Sequence, residues 1–573
     1  MSTRTDMKTS ANNTNNILVA RFREIVGSRY VLTNPKSMER FCKGFRSGQG
    51  PALAVVRPGK LLEQWKILEA CVAADKIVIM QAANTGLTEG STPNGEYDRD
   101  VVIISTNRMD QIQTLDSGRQ IVSFPGSTLF GLEKLLAPLN RQPHSEIGSS
   151  CIGASIMGGV CNNSGGALIE RGPSYTELSL YAQITEDGKL ELVNHLGLYL
   201  GDTAETILNR LETGDYNEND FEETNRKASD TDYNQRVREV NEPSPARFNA
   251  DKRRLYEASG CAGKLAVFAV RLDTYPLNIN EQVFYIGTND TQVLTDLRRY
   301  VLAEFETLPV SGEYMHKDVY DISESYGKDT VIMIDKLGTD RLPMFFALKG
   351  AIDARWNKLP FVPKNITDRV MQGLSRLWPN VLPKRMRDFR KRYDHHLILK
   401  MRDGGIDEAR TYLSSHLTGE DGAFFACTPR EAKIAGLHRF AAAGAAVRYQ
   451  NVNPSQVEDI LALDIALRRD DREWFEVLPP EIAEGLSHKL YYGHLFCHVL
   501  HQDYVVKKGY DPKAIKSAML AILDRRGAEY PAEHNVGHLY AAKPDLAAHY
   551  HCCDPTNSLN PGLGKMSKAK HYA

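Results

Sequence analysis

Two hydrophobic periods alternate along the first part of the chain. Leu61 to Ala74 carries apolar residues at helical spacing. Lys76-Ile-Val-Ile-Met80 is a short β-rich run that breaks into polar and glycine residues. Asp100-Val-Val-Ile-Ile-Ser105 is a second buried-strand pattern, and 129–139 returns to helical spacing. Strand, turn and helix in this order predict α/β layers over residues 17–140. The apolar run Leu265–Leu272 predicts another strand, and 511–526 reads as a helix followed by glycine and proline turns. Between these parts, residues 212–245 are polar, mostly acidic and poor in large aliphatics, the pattern of a long surface excursion.

Composition narrows the class. The chain has 573 residues, room for about two to four domains. Its 25% charged and 42% hydrophobic content excludes a collagen-like, coiled-coil or largely disordered protein. A formal net charge of −2 argues against a nucleic-acid binder with a strong overall positive field. Nine cysteines with no CxxC pair predict reduced thiols, not a disulfide framework or a zinc ribbon. The polar start MSTRTDMKTSANNTNN lacks the apolar region of a signal peptide, and no stretch of 18 apolar residues occurs. The expectation is a protein that is cytosolic or bound to a membrane surface without crossing it.

One segment breaks the charge balance. Lys349 to Arg402 holds 14 Lys/Arg against four Asp/Glu, and Lys384 to Arg402 is densest, with eight basic and two acidic residues. Aromatic residues are interleaved (Trp356, Phe361, Trp378, Phe389) and prolines interrupt any long element, so the segment reads as an inserted module. Such a mixture suits docking on anionic lipid, each surface cation contributing on the order of 1 kcal/mol. A solvated charged face is the alternative.

Two segments are rich in glycine. Gln81-Ala-Ala-Asn-Thr-Gly-Leu-Thr-Glu-Gly-Ser91 follows a strand pattern, and successive backbone N–H groups there could cradle phosphate oxygens. It is neither the G-x-G-x-x-G fingerprint nor a Walker A loop. Gly148 to Gly166 holds six glycines and almost no charge, which fits backbone packed on a flat aromatic cofactor or a tight helix–strand corner. Farther on, His494-Leu-Phe-Cys-His-Val-Leu-His501 places three imidazoles in eight residues. As a strand it would put 494 and 498 on one face with 501 opposite, and as a helix all three on one face. With Glu533-His534-Asn-Val-Gly-His538 these residues could bind a divalent metal and leave one imidazole free as a base, or be ordinary surface and core histidines. His144, His195, His395 and His396 stand alone and read as structural.

The glycine loop at 81–91 resembles the phosphate-binding loop of the vanillyl-alcohol-oxidase-type FAD family, and Gly148–Gly166 resembles its second FAD segment. Asp554-Pro-Thr-Asn-Ser-Leu-Asn-Pro-Gly562 is similar to the C-terminal signature of its 2-hydroxy-acid members. The likeness is greatest to the quinone-linked D-lactate branch. It runs from about Val26 to Lys565, through Gly44-Phe-Arg-Ser-Gly-Gln-Gly50, Ser259-Gly-Cys-Ala-Gly-Lys264, His438–Ala446 and Tyr530–His538.

The resemblance implies an α+β protein: a two-part FAD-binding domain (1–273 and 525–573), an α+β cap (274–315, 393–430 and 455–524), and a basic membrane-binding insertion (316–392 and 431–454). It implies oxidation of D-lactate to pyruvate, electrons passing through non-covalent FAD to a membrane quinone, at the cytoplasmic face of the inner membrane. By motif position, Ala82, Ala83, Asn84, Thr85, Gly86, Gly90 and Ser91 would contact the FAD pyrophosphate. Gly148, Ser155 and Gly165 would line the remainder, with Val267 on the strand closing the adenine side. His534 would be the general base, beside a divalent-metal set of His494, His501 and Glu533, or a metal-free polar pocket made of the same three. Arg439 is a candidate clamp for the substrate carboxylate, with a structural ion pair as the alternative. Two other readings stand beside this one: a cytosolic FAD enzyme for another 2-hydroxy acid, and a non-catalytic flavin- or lipid-binding scaffold. A scaffold has no use for the His494/His501/Glu533/His534 set.

Overall fold

The computed structural model describes residues 2–146, 152–338, 342–359, 361–375, 377–419 and 421–573. The first glycine loop grows out of a small sheet. Ala54–Val56, Val101–Ser105 and Ile77–Gln81 lie parallel in that order, with Val31–Leu32 antiparallel at one edge. Parallel strands need a crossover, and the helix Leu61–Ala73, which buries Leu61, Ile67, Leu68 and Cys71, carries the chain from Ala54–Val56 past the position of Val101–Ser105 to Ile77–Gln81. A second, five-stranded antiparallel sheet runs Ile112–Leu115, Gln120–Ser123, Ala266–Asp273, Ser179–Ile184, Leu190–Asn194. One core joins the two sheets, with Val56, Val102 and Ile104 from the first against Val122, Leu180 and Phe268 from the second.

The C-terminus returns to this part. Val78 N donates to Ser558 O and Asn560 N to Val78 O, so the D-P…N-P-G segment lies along Ile77–Gln81. Lys264 Nζ donates to Asn557 Oδ1 at 2.6 Å and stands 3.8 Å from Asp554. Burial lowers the Lys264 ammonium to about 8 against the pull of Asp554.

A seven-stranded antiparallel sheet forms the second half, in the order Ala423–Ala426, Glu281–Thr288, His395–Arg402, Ser311–His316, Leu486–His494, Val499–Lys507, Val457–Ala466. One face packs on helices Thr291–Glu304, Gly405–His416 and Pro512–Arg525. The other packs on Lys317–Tyr326, Lys384–Arg392, Pro429–Phe440 and Ala442–Val452. Among the described residues no helix is long and apolar enough to cross a membrane.

Three sequence expectations are corrected. His494 and His498 share neither a strand nor a helix: one strand ends at His494, a turn carries Leu495–His498 with His498 at φ 55°, and His501 lies on the return strand. Residues 212–245 are not a surface excursion throughout. The helix Tyr233–Arg238 buries Tyr233 and Val237 in the core of the large sheet, beside Ile169, Leu297 and Trp474. The densest basic run is not an open cationic face either. His395–Arg402 is an interior strand of the sheet, and Arg385, Arg390, Lys400 and Arg402 pair with Glu431, Asp321, Glu281 and Glu170.

Replacing Tyr233 by Ala is expected to destabilise the protein by about 3 kcal/mol in denaturant unfolding, the cost of a large core cavity. A change within about 0.5 kcal/mol, the surface value, would contradict this placement.

Candidate active site

The central residues come from adjacent sheet positions. In register, Glu313 lies opposite His494, and His501 opposite Asp464. His494 faces Val499 across the hairpin, which makes His501 its diagonal neighbour on the same face. The chain after helix Pro512–Arg525 then pairs with the edge strand: Glu529 N and Ala466 N exchange bonds with each other's carbonyls, and Ala532 N donates to Asp464 O. That pairing delivers Glu533 and His534 to the end of the imidazole row.

Asp464 ties the group together. Its Oδ2 accepts from His534 Nδ1 at 2.8 Å and from Glu533 N at 2.7 Å, while Oδ1 stands 3.2 Å from His501 Nδ1. Glu313 Oε1 accepts from His494 Nδ1 at 2.6 Å, and its other oxygen pairs with Arg439 at 3.0 Å. Glu533 Oε1 takes Arg247 at 2.6 Å and Gly166 N at 3.2 Å. With His494 Nδ1 bonded to Glu313 and His501 Nδ1 facing Asp464, the two imidazoles turn their Nε2 atoms toward each other at 3.3 Å, and Glu533 Oε2 stands 3.6 and 3.8 Å from them.

The charges are mutually dependent. Burial opposes ionisation of Glu313, but His494 and Arg439 outweigh it and hold the carboxyl at about 2. Glu533 is likewise held at about 2 against burial, by Arg247 and His494. Burial opposes charge on His494 too, yet Glu313 and Glu533 raise it to about 10. Asp464 is pushed below the carboxylate range by its two imidazoles despite burial, and in turn raises His534.

This donor set fits a metal. Ligand atoms about 2.0–2.2 Å from a tetrahedral ion stand about 3.4 Å apart, close to the observed triangle. Each imidazole also has the carboxylate partner on its other nitrogen that metal-bound histidines favour.

The glycine segments meet the same strip of chain. At Gly165 a β-carbon would lie 2.2 Å from Glu533 Oε1, and at Gly537 it would lie 1.8 Å from Thr88 O. Asn535 Nδ2 donates to Asn162 Oδ1 at 2.9 Å and sits against Gly90. The strip from Glu533 to Gly537 therefore threads between the two glycine segments. Within the first, Asn84 adopts φ 54° and accepts from Ser91 Oγ and Thr92 Oγ1 at 2.9 and 3.1 Å, bracing the loop through side chains. Among the described residues, no backbone N–H from Ala82 to Ser91 donates to a protein acceptor, and a β-carbon at Gly86 would meet open space. A row of free N–H donors with room in front of them fits a pyrophosphate.

Ser155 uses its hydroxyl to cap helix Ile156–Cys161, and a β-carbon at neighbouring Gly153 would meet open space. Val267 is buried under that helix, beside Ile156 and Val160. Gly148 lies outside the described residues. Gly165 sits beneath Glu533, so its small size admits that carboxylate.

Asp464, Glu313, Arg247 and Arg46 escaped the sequence reading. Asp464 left one faint signal, a lone acid inside the apolar run 460–467, but nothing in the spacing ties it to the histidines. Arg439 pairs with Glu313 and lies 4.5 Å from the Tyr492 ring, so the ion-pair alternative is the one the geometry carries. Arg46 is exposed at the tip of a loop closed by Gly44 N donating to Gly48 O at 2.9 Å. It makes no ion pair among the described residues, and its charge reaches Asp503, Tyr492 and His534. His144, His195, His395 and His396 take no part in the cluster.

Comparison with known proteins agrees with this layout. A family model described as "FAD binding domain" matches residues 52–193, and one described as "D-lactate dehydrogenase, membrane binding" matches 283–572. The chain is 61% identical over 549 residues to a quinone-dependent D-lactate dehydrogenase of Escherichia coli strain K12, covering 96% of each. It is 56% identical over 558 residues to the Haemophilus influenzae protein of that name, covering 97% of this chain and 99% of the relative. Among solved structures, 4-ethylphenol oxidase from Gulosibacter chungangensis superposes with a TM-score of 0.57 at 12% identity, covering 96% of this chain and 97% of that one. An alkyldihydroxyacetonephosphate synthase gives a TM-score of 0.56 at 10% identity, covering 95% and 85%. The fold is the vanillyl-alcohol-oxidase type, with an FAD-binding domain and a membrane-binding domain, and the chain belongs to the quinone-dependent D-lactate dehydrogenase family.

Proposed function

We propose that this protein oxidises D-lactate to pyruvate and passes the electrons through FAD to a membrane quinone. The observation that carries the reading is the Asp464-held His534 beside the His494/His501/Glu533 triangle, on a strip threaded between two glycine segments. FAD, when bound, supplies a hydride acceptor for C2 of the substrate. Ala82, Ala83, Asn84, Thr85, Gly86, Gly90 and Ser91 would hold its pyrophosphate, with Ser155, Gly165 and Val267 along the remainder.

His534 is the base for the hydroxyl proton. Asp464 holds its Nδ1–H, so Nε2 carries the lone pair, and the resulting imidazolium is stabilised by the same carboxylate. Arg46, exposed and without an ion pair among the described residues, anchors the substrate carboxylate in place of Arg439. A divalent metal on His494, His501 and Glu533 would polarise the hydroxyl and lower its pKa. We assign the FAD-binding part to 1–273 and 525–573, the cap to 274–315, 393–430 and 455–524, and the membrane-binding insertion to 316–392 and 431–454. The protein sits peripherally on the cytoplasmic face of the inner membrane, where anionic lipid attracts the exposed cations of 349–402. An oxidase for another 2-hydroxy acid has no specific observation in its favour.

His534→Ala is expected to lower kcat by about 10²-fold or more while leaving FAD bound, and Arg46→Ala to raise KM for D-lactate about tenfold with a smaller change in kcat. Steady-state kinetics with a soluble dye and with a quinone check both, and wild-type rates in the His534 variant would remove the base assignment. Prolonged chelation is expected to abolish D-lactate oxidation and zinc or manganese to restore it. Full activity in protein that elemental analysis finds metal-free would leave the triangle as a polar pocket.

A further inference from the structure

Polarity is inverted in one part of the insertion. Helices Leu342–Trp356 and Ile366–Ser375 form a hairpin tied together by polar contacts. Lys349 Nζ lies 2.7 Å from Asp368 Oδ1, Thr367 N donates to Asp353 Oδ1 at 3.1 Å, and Asn365 N donates to Asn357 Oδ1 at 2.9 Å. Arg448 Nε adds a 3.3 Å bond to the buried Asp368 from the neighbouring helix.

Many of the exposed groups are apolar. Leu348, Ile352 and Trp356 are exposed at i, i+4 and i+8 of the first helix, so they form one stripe. Val370, Leu374 and Leu377 are exposed at i, i+4 and i+7 along and just past the second. The connection adds Phe361, 96% exposed, while Leu377 is 82% exposed. Single exposed apolar residues are ordinary, but two parallel stripes joined by an exposed ring are not.

At 15 and 10 residues the helices are too short to cross a bilayer, which takes about 20. Arg355, Lys358 and Lys364 rim the connection, exposed and without an ion-pair partner among the described residues, whereas most cations of 384–402 are paired. An apolar face with a cationic rim complements an anionic lipid surface.

Resting on the membrane-peripheral reading above, we propose that the hairpin of helices Leu342–Trp356 and Ile366–Ser375 is a wedge that buries its outer face at the headgroup–acyl boundary. Apolar insertion holds the protein on the bilayer, and Arg355, Lys358 and Lys364 steer it there. Attachment by paired surface charge alone would vanish in salt, and insertion does not.

The test is co-sedimentation of the purified holoenzyme with phosphatidylcholine vesicles in high salt, and with vesicles containing phosphatidylglycerol in low salt. The wild type is expected to pellet in both. The double variant Phe361→Ser, Leu377→Ser is expected to lose about tenfold or more in partitioning while its dye-linked D-lactate oxidation is unchanged. The variant Lys358→Glu, Lys364→Glu is expected to weaken only the low-salt, anionic binding. Binding confined to anionic vesicles, abolished by salt and indifferent to the serine pair, would overturn insertion and leave membrane attachment standing. Binding to no vesicle would overturn both. A concentration-dependent dimer lost in the serine variant would reassign the face to a second copy and overturn the lipid proposal.

Discussion

One buried carboxylate sets the geometry on which the site depends. Asp464 accepts from His534, contacts His501 and pins the backbone of Glu533, so the proposed base, one candidate ligand and the placement of another share one anchor. A buried charge is tolerated only with partners. Here Asp464, Glu313 and Glu533 are balanced by the two imidazoles on Asp464, by Arg247 and by Arg439, and the two acids beside His494 raise its pKa. Removing one member leaves another uncompensated, which is why the group behaves as a unit.

The topology explains why the chain returns upon itself. Glu313, His494, His501 and Asp464 occupy four neighbouring strands of one sheet, where antiparallel register puts distant residues side by side. The strip that carries Glu533 and His534 leaves that sheet at once and enters the glycine segments of the other part. The proposed base and the proposed cofactor cradle are thus joined by about five residues, and the tight approaches at Gly165 and Gly537 leave no space for a β-carbon.

Much of this was legible in sequence because it is local. The strands at 77–81 and 101–105 and the helix from Leu61 announce themselves by period, and the glycine runs by composition. No single period describes the histidine row, because two strands joined by the turn Leu495–His498 obey neither the strand nor the helix spacing. Asp464 and Glu313 could not be found because register, not spacing, brings them to the histidines. Residues 212–245 looked solvated because a mean over 34 positions hides the buried pair Tyr233 and Val237. The basic run looked free because sequence does not show that Glu431, Asp321, Glu281 and Glu170 come to meet it.

The most direct measurement is an anaerobic visible spectrum of the purified protein before and after D-lactate, with L-lactate as control. D-lactate alone is expected to bleach the oxidised flavin band, since the redox chemistry belongs to the cofactor and the handedness to the residues that hold the substrate. A flavin band that D-lactate leaves untouched would contradict it.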